Sequence, residues 1–273
     1  MATDDNVARR AQSLTLVLPA YNEEGRLGPA LDELFGYLRR HDEHGRDSAP
    51  GAAMLPADIR VLVVDDGSTD ATAALVRARP EAADERAGGG AALALLAVPH
   101  GGKGAAVKTG MLAADGDLVV FADADMATPP DQLPLLVAAL RDQDVALGSR
   151  IQPDGSDMRA GQPPYRRLLG KVFRTLASIW AVGPVQDTQC GFKGFTREAA
   201  RDLFALQQVT SIVFDVELIY LARRRGYGIK VVPIRWADKR GSRMHPGPSL
   251  AVRVAWDLFR IPLIHRRVPR RRG

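Results

Sequence analysis

An α/β fold with a mostly parallel central sheet, helices on both faces and a helical C-terminal appendage is what this sequence of 273 residues predicts. Three observations carry that expectation. Short apolar runs of strand length alternate with segments of helical period from residue 14 to about residue 148. Three of those runs end in carboxylates, at Glu23 and Glu24, at Asp65 and Asp66, and at Asp123 and Asp125. From Leu250 onward, polar residues recur at helical spacing among apolar ones before an arginine cluster.

Residues 14–18 form the first strand, stopped at Pro19, and Ala20-Tyr21-Asn22-Glu23-Glu24 leads into a helix that gathers Leu27, Leu31, Leu34, Phe35 and Leu38 on one face. Residues 41–58, rich in Gly, Pro, Ala and charge, read as a surface loop. Residues 59–64 are a second buried strand, after which Ser68 or Thr69 is placed to cap a helix. A further insert at about 80–92 precedes the third strand, 93–98. His100-Gly101-Gly102-Lys103-Gly104 then opens a helix through Leu112. Residues 119–122 are the fourth strand, a helix covers about 130–141, and 145–148 are the fifth strand. The second half is less regular. A loop leads to a basic amphipathic helix at 165–180, the stretch Asp187-Thr188-Gln189-Cys190-Gly191-Phe192-Lys193-Gly194-Phe195 follows, helices start at Arg197 and around Phe214, and 229–236 form a strand before the basic loop 238–243. The expected organisation is one domain over 13–245 and an appendage over 246–273.

An apolar share of 46% with 25% charge is that of an ordinary soluble globular protein with a sizeable core. The single cysteine, Cys190, excludes an internal disulfide and a cysteine-rich zinc site and points to a reducing, cytoplasmic compartment. No N-terminal run of signal-peptide character occurs, and no stretch reaches the roughly 18 apolar residues of a spanning helix, so the chain is expected not to cross a membrane by itself. The net charge of +5 is uneven: from Arg253 onward seven arginines face one acid, leaving 30 basic and 31 acidic residues in the body. A body so nearly neutral gives no reason to expect a nucleic-acid binder.

Strands of one parallel sheet end on the same side, so the three acid-tipped ends converge on one rim, where α/β proteins bind ligands. Carboxylates there suit either hydrogen bonding to a heterocycle or ribose, or coordination of a divalent cation. A turn or helix cap explains one such end easily and three much less so. Gly101-Gly102-Lys103-Gly104 at a helix start suits an anion. It is not a Walker motif, because Gly104-Ala105 follows the lysine, and it lacks the dinucleotide spacing. Arg240 and Arg243, flanking Gly241 and Ser242, form a second cationic loop.

Leu18-Pro19-Ala20-Tyr21-Asn22-Glu23, Val63-Val64-Asp65-Asp66-Gly67-Ser68-Thr69-Asp70, Gly102-Lys103-Gly104 and Asp123-Ala124-Asp125 together resemble the inverting family 2 glycosyltransferases, whose fold is the Rossmann-like GT-A fold. Gly148-Ser149-Arg150, the 187–193 stretch, Phe214-Asp215-Val216-Glu217 and Gly241-Ser242-Arg243 look like dolichyl-phosphate (polyprenyl-phosphate) β-glucosyltransferases, with dolichyl-phosphate mannose synthases as relatives. The resemblance implies a uridine held by Pro19, Ala20, Tyr21, Glu23 and the Asp65-Asp66 pair, with Lys103 near ribose and phosphate. It implies Mg²⁺ or Mn²⁺ on Asp125 and Asp123, with Arg240 and Arg243 closing over the diphosphate of UDP-glucose. Ala127 stands where mannose synthases often carry a polar ligand, which shifts the metal shell toward Thr128 or water.

A polyprenyl-phosphate acceptor is already an anionic nucleophile, so cations rather than a general base are expected, and Arg150, Arg166 and Lys171 are placed for it. Asp187, Asp215 and Glu217 either bind sugar hydroxyls and orient the arginines or supply a base to a hydroxyl acceptor. GDP-mannose as donor, a soluble hydroxyl-bearing acceptor, or an inactive membrane-bound scaffold remain alternatives. The tail carries Leu250, Val254, Trp256, Leu258, Phe259 and Ile261, with Pro262 interrupting before the arginines. It reads either as an anchor on the anionic cytoplasmic face of a membrane or as a helix packed on the domain.

Overall fold

The computed structural model describes residues 12–45, 55–84, 90–159, 164–183, 185, 187–237 and 248–271. Its strands are β1 (Ser13–Ala20), β2 (Asp58–Asp65), β3 (Ala91–Ala97), β4 (Leu118–Ala122), β5 (Val145–Ser149), β6 (Phe192–Thr196) and β7 (Ile229–Pro233). Its helices are α1 (Leu27–Gly45), α2 (Thr72–Arg77), α3 (Pro80–Ala83), α4 (Lys103–Ala113), α5 (Leu133–Ala139), α6 (Pro164–Ala177), α7 (Arg197–Leu206), α8 (Phe214–Arg225) and α9 (Pro248–Ile264). The strands form one sheet in the order β3-β2-β1-β4-β6-β5-β7. β1, β2, β3 and β4 run parallel, as do β5 and β7; β6 lies antiparallel between β4 and β5.

Both faces of the sheet are covered, and the strand period of two divides the core accordingly. Leu14, Leu16 and Leu18 of β1 and Val61 and Val63 of β2 pack with Leu31, Phe35 and Leu136 on one face. Val17, Val64, Val119 and Phe121 point the other way, into Val107, Met111, Phe204 and Phe214. α4 approaches the second face closely because position 110 is glycine. A Cβ there would stand 2.5 Å from Val17 and 2.6 Å from Val64.

Several local expectations are corrected. α1 continues to Gly45, through the start of the expected loop. Neither Ser68 nor Thr69 caps α2: the Asp70 carboxylate accepts from the Thr72 N–H at 3.0 Å, while Ser68 and Thr69 bond to Asn22 across the rim. The insert after α2 contains the short α3. β7 stops at Pro233, short of Trp236. Pro262 does not interrupt α9, which runs on to Ile264, since a proline removes one N–H without forbidding the next turn. β6 was not anticipated as a strand, and it carries Lys193, fully buried, in its second position. α9 packs against α8 and buries Leu258 and Ile261 in the second core. Its Val252, Trp256, Phe259 and Leu263 remain exposed.

Candidate active site

The rim begins where β1 and β2 end. Asn22, at φ 54°, turns the chain so that its amide oxygen accepts from the Thr69 N–H at 2.8 Å and its N–H donates to Ser68 Oγ at 2.9 Å. The Glu23 N–H donates to Thr72 Oγ1, and its carboxylate pairs with Arg26 through Nε and Nη2 at 2.7 and 2.5 Å. Ala20 is buried and its carbonyl accepts from the Asp66 N–H, so Pro19 and Ala20 supply backbone shape at this corner. Tyr21 is exposed and stacks on His100 with ring centroids 4.2 Å apart, an open aromatic platform beside the rim.

The next pair of acids is turned inward. Asp65 accepts from the Ser68 N–H at 3.2 Å. Both oxygens of buried Asp66 accept backbone N–H bonds, from Gly101 at 2.8 Å and Gly102 at 2.9 Å, and His100 Nδ1 adds a contact at 2.9 Å. Gly102 holds φ 89°, and the Gly104 N–H donates to the Thr210 carbonyl at 3.0 Å. The turn therefore does not present these three N–H groups to an anion, as its glycines had suggested: the protein bonds them internally, and Asp66 is the brace of the turn. What the turn delivers is the Lys103 side chain.

Lys103 Nζ lies 2.5 Å from Asp123 Oδ1. Burial draws the ammonium down, but Asp123, Asp215 and Asp125 more than offset this and hold it above its ordinary range. Asp125 accepts from the Ala127 N–H through Oδ1 at 3.0 Å. Burial, seconded by the Asp123 charge, pushes its carboxyl up. Two neighbouring carboxylates, one with a displaced pKa, are the arrangement that a cation relieves. Gly191 closes the back of this corner, since a Cβ there would lie 2.3 Å from Asp123 Oδ2.

At the end of β5 the pattern changes. Arg150 binds Asp187 through its backbone N–H at 3.0 Å, Nε at 2.7 Å and Nη2 at 2.8 Å. Trp236 lies 5.5 Å from the guanidinium, and Arg159 reaches the same carboxylate at 3.5 Å. Burial alone would push the Asp187 carboxyl up; Arg150 and Arg159 reverse that and hold it below the usual range. The antiparallel β6 makes this pairing possible, because a strand that starts at the rim brings the preceding residues 187–191 onto it. One strand further in, Lys193 Nζ contacts Asp215 Oδ1 and the Cys190 carbonyl, each at 2.5 Å, with no exposure of the lysine. Burial pushes the Asp215 carboxyl up, opposed by Lys193 and Lys103. Cys190, buried against this pair, has its thiol pushed up to about 12 and is not a nucleophile.

The sequence model of glycosyl transferase family 2 matches residues 15–204. Dolichyl-phosphate beta-glucosyltransferases are similar over most of the chain. The one from Drosophila melanogaster is 37% identical over 91% of this chain and 74% of its own length. That from Homo sapiens is 33% identical over 86% and 70%. This chain belongs to glycosyl transferase family 2. Glucosyl-3-phosphoglycerate synthase from Mycobacterium tuberculosis, solved with Mn²⁺, UDP and glucosyl-3-phosphoglycerate, superposes with a TM-score of 0.58 at 21% identity, covering 94% of this chain and 81% of its own, which establishes the GT-A fold.

In this family 2 glycosyltransferase the residues expected at the site do not all come together. Tyr21, Glu23, Lys103, Asp123, Asp125 and Arg150 stand at the rim, with Pro19, Ala20, Asp65 and Asp66 shaping it. Asp187 and Asp215 lie just beneath, each committed to a cation. Glu217 leaves the site. Its carboxylate is fully buried, accepts from the Gln208 and Val209 N–H groups at 2.9 Å each, and contacts His265 Nε2 at 2.7 Å, so it cannot meet sugar or acceptor. Lys171 is exposed on α6. The side chain of Arg166, and Arg240 and Arg243 entirely, lie outside the described residues. Four contributors were not singled out from sequence: Arg26, whose charge reaches Asp125; Arg159 behind Asp187; Lys193 beneath Asp215; and Trp236 over Arg150.

A divalent cation fits the exposed acid pair in chemistry. Asp123 and Asp125 offer hard oxygen donors, and Asp125 engages only Oδ1 in the turn. Among the described residues no group of three or more acids, histidines or cysteines could hold a metal alone, so such an ion needs ligands from elsewhere. Ala127 adds none: its side chain is apolar and its carbonyl accepts from the Ala237 N–H at 2.9 Å.

Proposed function

We propose that this enzyme transfers glucose from UDP-glucose to a polyprenyl phosphate with inversion, at the cytoplasmic face of a membrane. The observation that carries this reading is the state of the buried carboxylates near the acceptor end. Asp187 is bound by Arg150, Asp215 by Lys193, and Glu217 by two N–H groups and His265. None of the three is a ready base, which suits an acceptor that needs no deprotonation. A phosphate monoester attacks as it stands. Arg150, fixed through Nε and Nη2, keeps its Nη1 edge for an anion and holds it at the end of β5.

On the donor side, the Tyr21–His100 platform is placed for the base and Lys103 for the diphosphate. Asp123 and Asp125 would hold Mg²⁺ or Mn²⁺, which as a Lewis acid neutralises charge building on the leaving diphosphate. The names of the relatives support the glucose and lipid-phosphate assignments, and the Mn²⁺ and UDP of the fold neighbours support the donor. Inversion is the outcome of one in-line displacement, and the bound state of Asp187 and Asp215 leaves neither placed to form a covalent sugar intermediate.

Membrane attachment is supported by the exposed faces of two helices. Val172 and Leu176 of α6, with Ile179 and Trp180 of the wider helical turn Ser178–Val182 that continues it, and Val252, Trp256, Phe259 and Leu263 of α9 are exposed. The two rows meet where Trp180 stacks on Phe259 at 5.3 Å. No described helix is long and apolar enough to cross a membrane; the contact proposed for these two exposed faces is interfacial. The test is a panel of UDP-glucose, UDP-galactose, GDP-glucose and GDP-mannose against a short-chain polyprenyl phosphate and a soluble alcohol, with product anomer read by NMR. UDP-glucose with the phosphate acceptor should dominate and give the β-linked product. Preference for GDP-mannose, or for the alcohol, would overturn the corresponding half.

A further inference from the structure

Lys103 sits where the metal reading needs Asp123 to be open. Its Nζ is 2.5 Å from Asp123 Oδ1, and the two side chains keep 36% and 37% of their surface exposed. With about a third of each side chain exposed, the pair stays within reach of an incoming ligand. The charge of Asp215 also acts on Lys103, and Asp215 is itself fixed by Lys193 and so stays in place whatever Lys103 does. The backbone of Lys103 is equally fixed, because Asp66 and the Thr210 carbonyl hold Gly101, Gly102 and Gly104 on either side of it. The ammonium is therefore a tethered cation on a rigid mount, with freedom only in its side chain.

We propose that Lys103 is a placeholder for the divalent metal: it occupies Asp123 in the nucleotide-free enzyme and moves onto the donor's diphosphate when the metal arrives, so metal and nucleotide are taken up together. The inference rests on the metal-assisted reading above. Its logic is electrostatic. With Asp123 neutralised by Lys103, only Asp125 is left to attract the ion, and one carboxylate binds a hydrated divalent cation poorly. A metal bound beside an undisplaced ammonium would also be repelled by it. The diphosphate removes both obstacles, since it offers Lys103 a new partner and contributes oxygen ligands. The exchange leaves the corner close to neutral before and after, and keeps a divalent cation from settling there ahead of the donor.

The experiment titrates Mn²⁺ into the full chain and follows the free-ion EPR signal, with and without UDP, for the native enzyme and for Lys103→Met, Lys103→Gln and Lys103→Arg. Native enzyme should take up Mn²⁺ well only when UDP is present. Lys103→Met and Lys103→Gln should bind Mn²⁺ without UDP about tenfold more tightly than native enzyme and gain less from UDP. Lys103→Arg, which keeps the charge, should stay near native. Unchanged or weaker nucleotide-free Mn²⁺ binding in the neutral variants overturns the placeholder. Native enzyme that binds Mn²⁺ equally with and without UDP overturns it too, independently of whether any variant folds. Native enzyme that takes up no Mn²⁺ even with UDP overturns the metal-assisted reading instead.

Discussion

The ends of β4 and β5 both carry charge to the same rim, yet they are built on opposite plans. At β4, Asp123 and Asp125 are partly exposed, lie close enough to repel, and lean on a lysine that has other places to go. At β5, Arg150 is locked to a carboxylate that is 2% exposed, with three hydrogen bonds and an aromatic ring behind it. The first corner is electrostatically unfinished and the second is complete. On the proposed function, a corner that accepts and releases charged ligands in each turnover is kept unfinished, whereas one that only has to hold a cation in line is stabilised in advance.

The contrast breaks most visibly at the acid pair. Asp125→Ala should lower turnover by on the order of 10³-fold, because it removes ligand charge from the leaving-group side. It should leave the unfolding temperature unchanged or raised, because a partly buried carboxyl held above its usual range is gone. Retained turnover at saturating Mn²⁺ or Mg²⁺ would remove the metal assignment. Arg150→Ala should behave differently, losing both turnover and about 3–5 kcal/mol of stability at neutral pH, since Asp187 is left buried with the residue 150 N–H and with no side-chain cation nearer than Arg159 at 3.5 Å.

The pH dependence sharpens that second case. Native Asp187 has a folded pKa below its ordinary value, so its stabilisation is present above that value and is lost as pH falls through the folded one. In Arg150→Ala burial prevails and the carboxyl protonates more readily. The stability gap between native and variant, read from urea midpoints, should therefore narrow on going from pH 7 toward pH 4. A gap that stays constant would mean the ion pair is not its source. The smallest effect on chemistry belongs to Glu217→Gln, which should cost about 1–3 kcal/mol of stability through the loss of a charged acceptor from two N–H groups and His265. Its turnover per folded molecule and its KM for UDP-glucose should match native enzyme; a fall in either would return Glu217 to the site.

Glu217 also shows where the sequence stopped being readable. Asp215 and Glu217 stand two residues apart on α8, and such residues point to different sides of a helix. Asp215 accordingly turns to Lys193 under the rim, while Glu217 turns to the 207–209 loop and to His265 beyond α9. The spacing was visible, and the motif reading that joined the two acids overrode it. The parallel half was legible because β1 to β5 are apolar runs of strand length and three of them, β1, β2 and β4, run into acids. β6 was not, because Phe192-Lys193-Gly194-Phe195-Thr196 places a lysine and a glycine in the interior, and nothing local marks that lysine as the buried partner of an aspartate 22 residues on. The engagement of the Gly101, Gly102 and Gly104 N–H groups was equally hidden, since their partners come from β2's end and the loop before α8.

The reversed strand has one more effect. Because β6 stands between β4 and β5, the strands that lead to the acid pair and to Arg150 lie two inter-strand spacings apart, about 10 Å. That gap is on the scale of one hexose ring with a phosphate oxygen on either side. The sheet thus acts as a ruler, set by backbone hydrogen bonding that side-chain mutation hardly alters. On the proposed function, lengthening the spacer by a strand would leave the two charged groups too far apart for the nucleophile, and removing it would leave no room for the sugar.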